Sequence, residues 1–308
     1  MNSATRLFVL LAFFMSSSSY SAATKWFPVE IIDGAITIPV KVFDKPTTAI
    51  IDTGASKTLI NRTFLTKNNF EISTSGKMKF GGAIKNERLD LLSELNLELF
   101  GANLNMRDIG IYENSELPSV ILGLELFSHF VVQIDYPNSR MRLADRKSID
   151  LKGHENVEFN VVKEFGALPV VQVNLNKERN VDLILDTGFN GAISVERIIA
   201  SEQKWLEKFK NVKVRVKGLH ATTQNDSFLI PTVKIGPYEI ADTQVMVQTE
   251  GDKYNIKFKP RSYTGSRIRT GRKIQGVLGY DILRNFVLTI DYGRSLLHLG
   301  LPEQKSKS

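Results

Sequence analysis

The hydrophobic pattern of the chain is mainly one of short alternating runs, which predicts strands. Val29–Ile32 and Ala35–Val42 lie on either side of Asp33-Gly34, a dipeptide suited to a two-residue hairpin turn. A turn at Asp44-Lys45-Pro46 then leads into an apolar run ending in Ile50-Ile51. Asn61 is placed to cap a short helix over Arg62–Lys67. Lys77–Arg88 is β-rich and broken by Gly81-Gly82, which predicts a hairpin with a glycine tip, and Leu91–Leu104 alternates as further strand. In the second half, Ser194 is placed to cap a longer amphipathic helix with Ile198, Ile199, Trp205, Leu206 and Phe209 on or near one face. Trp205 reads as core. Val212–Val216, the stretch Lys217-Gly218-Leu219-His220, and Phe228–Ile235 suggest a second hairpin of the same kind.

The pattern repeats itself. Ile50-Ile51-Asp52-Thr53-Gly54-Ala55-Ser56 returns as Ile184-Leu185-Asp186-Thr187-Gly188-Phe189-Asn190. Val120-Ile121-Leu122-Gly123 returns as Gly276-Val277-Leu278-Gly279. Beyond each lie a short amphipathic turn and an Ile-Asp-Tyr ending, Ile134-Asp135-Tyr136 and Ile290-Asp291-Tyr292, and then a final strand. The runs before the motifs, Ile36–Val42 and Gly166–Val173, match as well. A single Asp-Thr-Gly is also how an ordinary strand and turn would read. Two ordered series of motifs are a duplication, and a unit this long occurring twice predicts two lobes of one body.

Length fits two domains with substantial cores. Arg6, the apolar run Leu7–Met15, the polar neck Ser16–Ser21 and the small residues Ser21-Ala22-Ala23 predict a cleaved export signal over residues 1–23. The apolar run is short for a membrane span. The expected organisation is therefore a signal at 1–23, an N-terminal lobe at 24–150, a C-terminal lobe at 151–302 and a polar tail at 303–308. The expected location is a bacterial periplasm or the exterior. There is no Cys, so export brings no disulfides. The stretch from Asp186 to Gly279 exceeds that from Asp52 to Gly123, and the surplus coincides with a basic segment over 252–273. That segment reads either as a contact for an anionic membrane surface or as a solvated loop with no partner. Aromatic interleaving is too sparse for nucleic acid. The four histidines, at 129, 154, 220 and 298, fall at unrelated positions. There is no His-Glu-x-x-His and no Gly-x-Ser-x-Gly, so metal and serine hydrolysis have little to stand on.

Two strands that each deliver one carboxylate imply two carboxylates meant to meet. Like charges in contact cannot both ionise cheaply, so such a pair shares one proton. Its ionised member can draw a proton from water while the other donates to a carbonyl oxygen. Thr53 and Thr187 are placed to hydrogen-bond across the interface, and Gly54 and Gly188 to let the backbone approach the carboxylates.

On these residues the chain resembles the aspartic proteases, most closely the bacterial periplasmic retropepsin-like branch related to retroviral proteases and two-lobed pepsins. Asp52-Thr53-Gly54-Ala55-Ser56, Asp186-Thr187-Gly188, the two apolar-apolar-Gly segments and the Ile-Asp-Tyr endings carry the resemblance. It implies an all-β, bilobal, pseudo-twofold fold with short helices. The catalytic residues would be Asp52 and Asp186, supported by Thr53, Gly54, Thr187 and Gly188. The resemblance also makes Phe80, Gly81, Gly82 and Ala83 a substrate-binding flap. It implies endopeptidase action on a polypeptide, expected to be an envelope protein, by a monomer with neither metal nor organic cofactor. Ala55 stands where pepsins carry a hydroxyl, which predicts activity extending toward neutral pH. Phe189-Asn190-Gly191 departs from the family pattern: the ring either caps the site or crowds it. The competing reading is a non-catalytic peptide-binding or scaffold protein that keeps the cleft.

Overall fold

The computed structural model describes residues 23–81, 86–162, 167–217, 222–249 and 273–302. Residues 1–22 of the expected export signal, Gly82 and Ala83, His220, the basic segment before Lys273 and the tail 303–308 lie outside them.

Each half forms an eight-stranded sheet, and the two sheets have the same order. In the first half it runs Glu30–Ile32, Ala35–Val42, Lys45–Ile51, Val120–Leu122, Leu59–Asn61, Ala102–Tyr112, Asn86–Leu99 and Thr74–Gly81. In the second it runs Phe159–Val162, Leu168–Leu175, Arg179–Leu185, Ile274–Leu278, Ile193–Val195, Tyr238–Gln248, Thr222–Ile235 and Val212–Lys217. Ala35–Val42 also pairs with Asn86–Leu99, and Leu168–Leu175 with Thr222–Ile235, so each sheet folds back on itself. A third sheet belongs to both halves. Its centre is the antiparallel pair Val131–Asp135 and Val287–Asp291, the two Ile-Asp-Tyr strands.

Local chemistry explains most of these elements. In Ala35–Val42 the side chains of Ile36, Ile38, Val40 and Val42 are buried, while Pro39 and Lys41 face out. Asp33 and Gly34 have φ of 49° and 81°, the left-handed pair that a tight hairpin requires, and they join Ile32 to Ala35. The next turn falls one residue earlier than the Asp44-Lys45-Pro46 reading. Phe43 and Asp44 form it, and Lys45 already pairs with Val42. Asn61 caps the helix Arg62–Lys67 by accepting from the Thr63 N–H.

The helix expected to start at Ser194 is different. Ser194 lies in the strand Ile193–Val195, opposite Val277, and the helical segments are Arg197–Glu202 and Trp205–Lys208. They are separated at Lys204, whose φ is 55°, and Ile198 is 53% exposed. Sheet pairing on both sides of Ser194 outweighs its capping preference. Trp205 is core, and its indole N–H donates to Glu178 at 2.7 Å.

Ion pairs cross between the halves. Asp291 is 1% exposed, and Arg146 Nε reaches both its carboxylate oxygens at 2.9 and 3.0 Å. Arg294 binds Asp150 at 2.8 Å.

Candidate active site

Each motif aspartate stands one residue past a strand that is parallel to an apolar-apolar-Gly strand. The ladder continues into the motif: Asp52 N–H donates to Leu122 O at 3.0 Å, and Asp186 N–H to Leu278 O at 2.9 Å. The strand ends are apolar, with Ile51, Ile184 and Leu185 buried and Ile50 half-buried. The chain then turns back under each carboxylate. Gly54 and Ala55 N–H groups donate to Asp52 Oδ1 at 2.8 and 3.0 Å. Asp186 receives the Gly188 N–H at 2.9 Å and that of Phe189.

The two loops lock through their threonines. Thr53 Oγ1 donates to Leu185 O at 2.6 Å and accepts the Thr187 N–H at 3.0 Å. Thr187 Oγ1 donates to Ile51 O at 2.7 Å and accepts the Thr53 N–H at 3.1 Å. Both threonines are buried. The glycines leave room for the opposite carboxylate. A Cβ on Gly54 would lie 2.6 Å from Asp186 Cγ, and one on Gly188 would lie 2.8 Å from Asp52 Cγ.

The lock brings Asp52 and Asp186 together, each carboxylate lying against the glycine of the opposite motif. Burial raises the Asp52 carboxyl above its ordinary 3.8, against the lowering effect of Asp186 and of the Gly54 and Ala55 N–H groups. Asp186 is pushed well above 3.8, first by burial and then by the charge of Asp52. Both residues keep a part of their surface in contact with solvent. The charge of Asp52 acts on Asp186, so their titration belongs to both members.

Of the flap residues, Phe80 is half-buried against a cluster that includes Ala55, Leu59 and Tyr112. The hairpin therefore packs against the cluster to which Ala55, next to the first Asp-Thr-Gly, belongs. Gly81 pairs with Asn86 at the last described rung, and Gly82 and Ala83 lie beyond it. The corresponding hairpin of the second half pairs Val212–Lys217 with Thr222–Ser227.

The Phe189 ring lies against the backbone of Gly191 and Gly279. A Cβ at those glycines would meet ring atoms at 2.7 and 2.6 Å. The two glycines form the seat of the ring. Phe189 O accepts the Tyr280 N–H at 2.8 Å, as Ala55 O accepts the Leu124 N–H at 2.9 Å, so the larger side chain leaves the repeated backbone pattern intact.

Other residues at this centre went unrecognised in the sequence. The hairpin turn at Gly34 abuts Asn190 and Tyr280 of the other half, where a Cβ would lie 2.8 Å from Asn190 Cβ. Tyr136 and Tyr292 are buried, and burial raises both phenol pKa values, followed by the charge of Asp186 at Tyr136 and by Tyr136 at Tyr292. The Ile-Asp-Tyr repeat was the available signal for them. Among the described residues no cluster of His, Cys, Asp and Glu is suited to hold a metal.

Two similar β lobes, each with an Asp-Thr-Gly loop at the shared interface, define the bilobal aspartic-protease fold. The chain belongs to the aspartyl proteases, of retropepsin-like type: the model of the family described as "Aspartyl protease" matches residues 38–126 and 171–282, one segment in each half. No curated protein matches the chain significantly.

Proposed function

We propose that the protein is an exported aspartic endopeptidase that cuts polypeptides of the cell envelope with the Asp52/Asp186 pair. The observation that carries this reading is that the threonine lock sets each motif carboxylate against the glycine of the opposite motif, with burial raising both carboxyl pKa values. At working pH the pair holds one proton. The ionised carboxylate takes a proton from a water as its oxygen attacks the scissile carbonyl carbon, and the protonated carboxyl donates to the carbonyl oxygen. A tetrahedral gem-diol forms with no covalent enzyme intermediate. Its collapse breaks the C–N bond, with a proton passing to the leaving nitrogen and the dyad left with one proton again. Thr53, Gly54, Thr187 and Gly188 hold the loops in register, and the hairpin of Thr74–Gly81 with Asn86–Leu99 covers the peptide. Location rests on the sequence of residues 1–23, and membrane contact on the basic segment 252–273.

The test is cleavage of a mixed peptide library by residues 24–308, followed by mass spectrometry at pH values from about 4 to 8, the range in which a coupled pair titrates. Asp52→Asn and Asp186→Asn are expected to fold and to lose at least about 1,000-fold in kcat, at the upper part of the range for an acid–base contribution. Full activity in either variant overturns the dyad. An optimum confined to strongly acid pH overturns the reading of Ala55.

A further inference from the structure

The two halves share their strand order but not the chemistry of the sheet face beneath their hairpins. Register gives the correspondence. Asp90 pairs with Ile111 as Asp226 pairs with Val247, so Leu89 matches Asn225 and Tyr112 matches Gln248. Leu59 pairs with Gly110 as Ser194 pairs with Met246, so Leu59 matches Ser194. All six side chains are buried. In the first half Leu59, Leu89 and Tyr112 join Ala55 in one apolar cluster, with Met78 and Phe80 of the hairpin against it. The second half puts a hydroxyl and two carboxamides at the same three places.

This polar row adjoins the second motif. A Cβ at Gly191 would lie 2.6 Å from Met246 Cε and 2.7 Å from Phe189 Cζ, so the strand Tyr238–Gln248 meets the ring of the motif loop there. Met246 and Gln248 are two residues apart on that strand and share its face. Buried polar groups are nearly always partnered. Asn225 Oδ1 accepts from Thr223 Oγ1 at 3.3 Å, and Ser227 Oγ accepts from Gln244 Nε2 at 2.8 Å. Gln248 is 9% exposed, and its Nε2 has no hydrogen-bond partner. A buried amide donor calls for an acceptor oxygen, and an apolar ligand would leave it stranded. A carboxylate would supply the oxygen but bring a buried charge. Arg197 and Lys213 do not offset that charge, because they hold Asp226, one residue on from Asn225 and on the opposite face. A neutral carboxamide supplies the oxygen without the charge.

We propose that the second lobe's half of the cleft is a polar subsite in which Gln248 binds an Asn or Gln side chain of the polypeptide, while the first lobe's half takes an apolar one. The subsite rests on the proteolytic reading above and adds the substrate class to it. A duplicated fold has thus become an asymmetric reader of sequence around the bond.

The test passes a mixed peptide library over immobilised Asp52→Asn/Asp186→Asn protein and identifies the retained peptides by mass spectrometry, while the wild type cuts the same library. Asn and Gln should be enriched about tenfold at one position, the discrimination one buried hydrogen bond gives, with apolar residues on the other side of the bond. Gln248→Leu and Gln248→Met should abolish that enrichment and favour apolar residues there, leaving the preference on the other side in place. Each replaces an unpaired buried amide by an apolar group of similar size, so Tm should hold or rise, and either variant suffices if the other does not fold. An unchanged preference in a folded variant overturns the subsite, as does the absence of carboxamide enrichment in the unsubstituted cleft. If the wild type cuts nothing while the inactive protein still retains carboxamide peptides, the endopeptidase reading falls and the subsite stands. If peptides are cut without that preference, the subsite alone falls.

Discussion

At the scale of single residues, Thr53 and Thr187 close a square of four buried hydrogen bonds, in which each hydroxyl serves one carbonyl and one N–H. Thr53→Val keeps the shape but strands Leu185 O and the Thr187 N–H. Losing partners for two buried groups should cost on the order of 3 kcal/mol. Because the square also sets the separation of the carboxylates, kcat should fall about 100-fold, as for a displacement near 1 Å. Thr53→Ser should recover most of both. Urea unfolding with turnover of the same samples checks this, and an unchanged urea midpoint for Thr53→Val would rule out the lock. The threonines were legible because a hydroxyl beside each carboxylate has few other uses. Gly191 and Gly279 as the seat of Phe189 were not, because only their packing against the ring gives them that role.

At the scale of elements, the best-defined local segments follow their sequence: the Asp33-Gly34 hairpin, the Asn61-capped helix and the strands beside the first glycine tip. Ser194 does not. Its neighbours suit a helix N-terminus, yet strands distant in sequence pair on both sides of it. The same packing makes Gly276 irreplaceable. A Cβ there would lie 2.0 Å from Ser194 O and 2.9 Å from Val195 Cα, both backbone atoms that cannot swing aside. Gly276→Ala should therefore destabilise by about 3 kcal/mol or more. For a chain of this size that lowers Tm by roughly 6–12 °C. Differential scanning calorimetry decides it, since a loss below about 1 °C is incompatible with so tight a contact.

At the scale of the whole molecule, the dyad joins stability to pH. Both carboxyl groups have folded pKa values raised above the ordinary 3.8, so over the window between them the folded protein binds more protons than the unfolded chain. Stability is greatest below the unfolded value and falls as pH rises through the raised folded values. Asp52→Asn/Asp186→Asn removes that loss, so the variant should exceed the wild type in Tm at pH 7, with the advantage shrinking toward pH 4. Thermal unfolding across that range tests it, and a difference independent of pH would exclude a raised pair. By itself the sequence determined the duplication, the β class, the two aspartates and their immediate helpers, because these are written in periodicity and in motifs whose chemistry is local. Only the tertiary structure decided that Ser194 joins a sheet, that Gly191 and Gly279 seat Phe189, and that the Gly34 turn abuts Asn190 and Tyr280 of the other half. Each of those depends on contacts between segments far apart in the chain, and no spacing along the sequence encodes the distance between them.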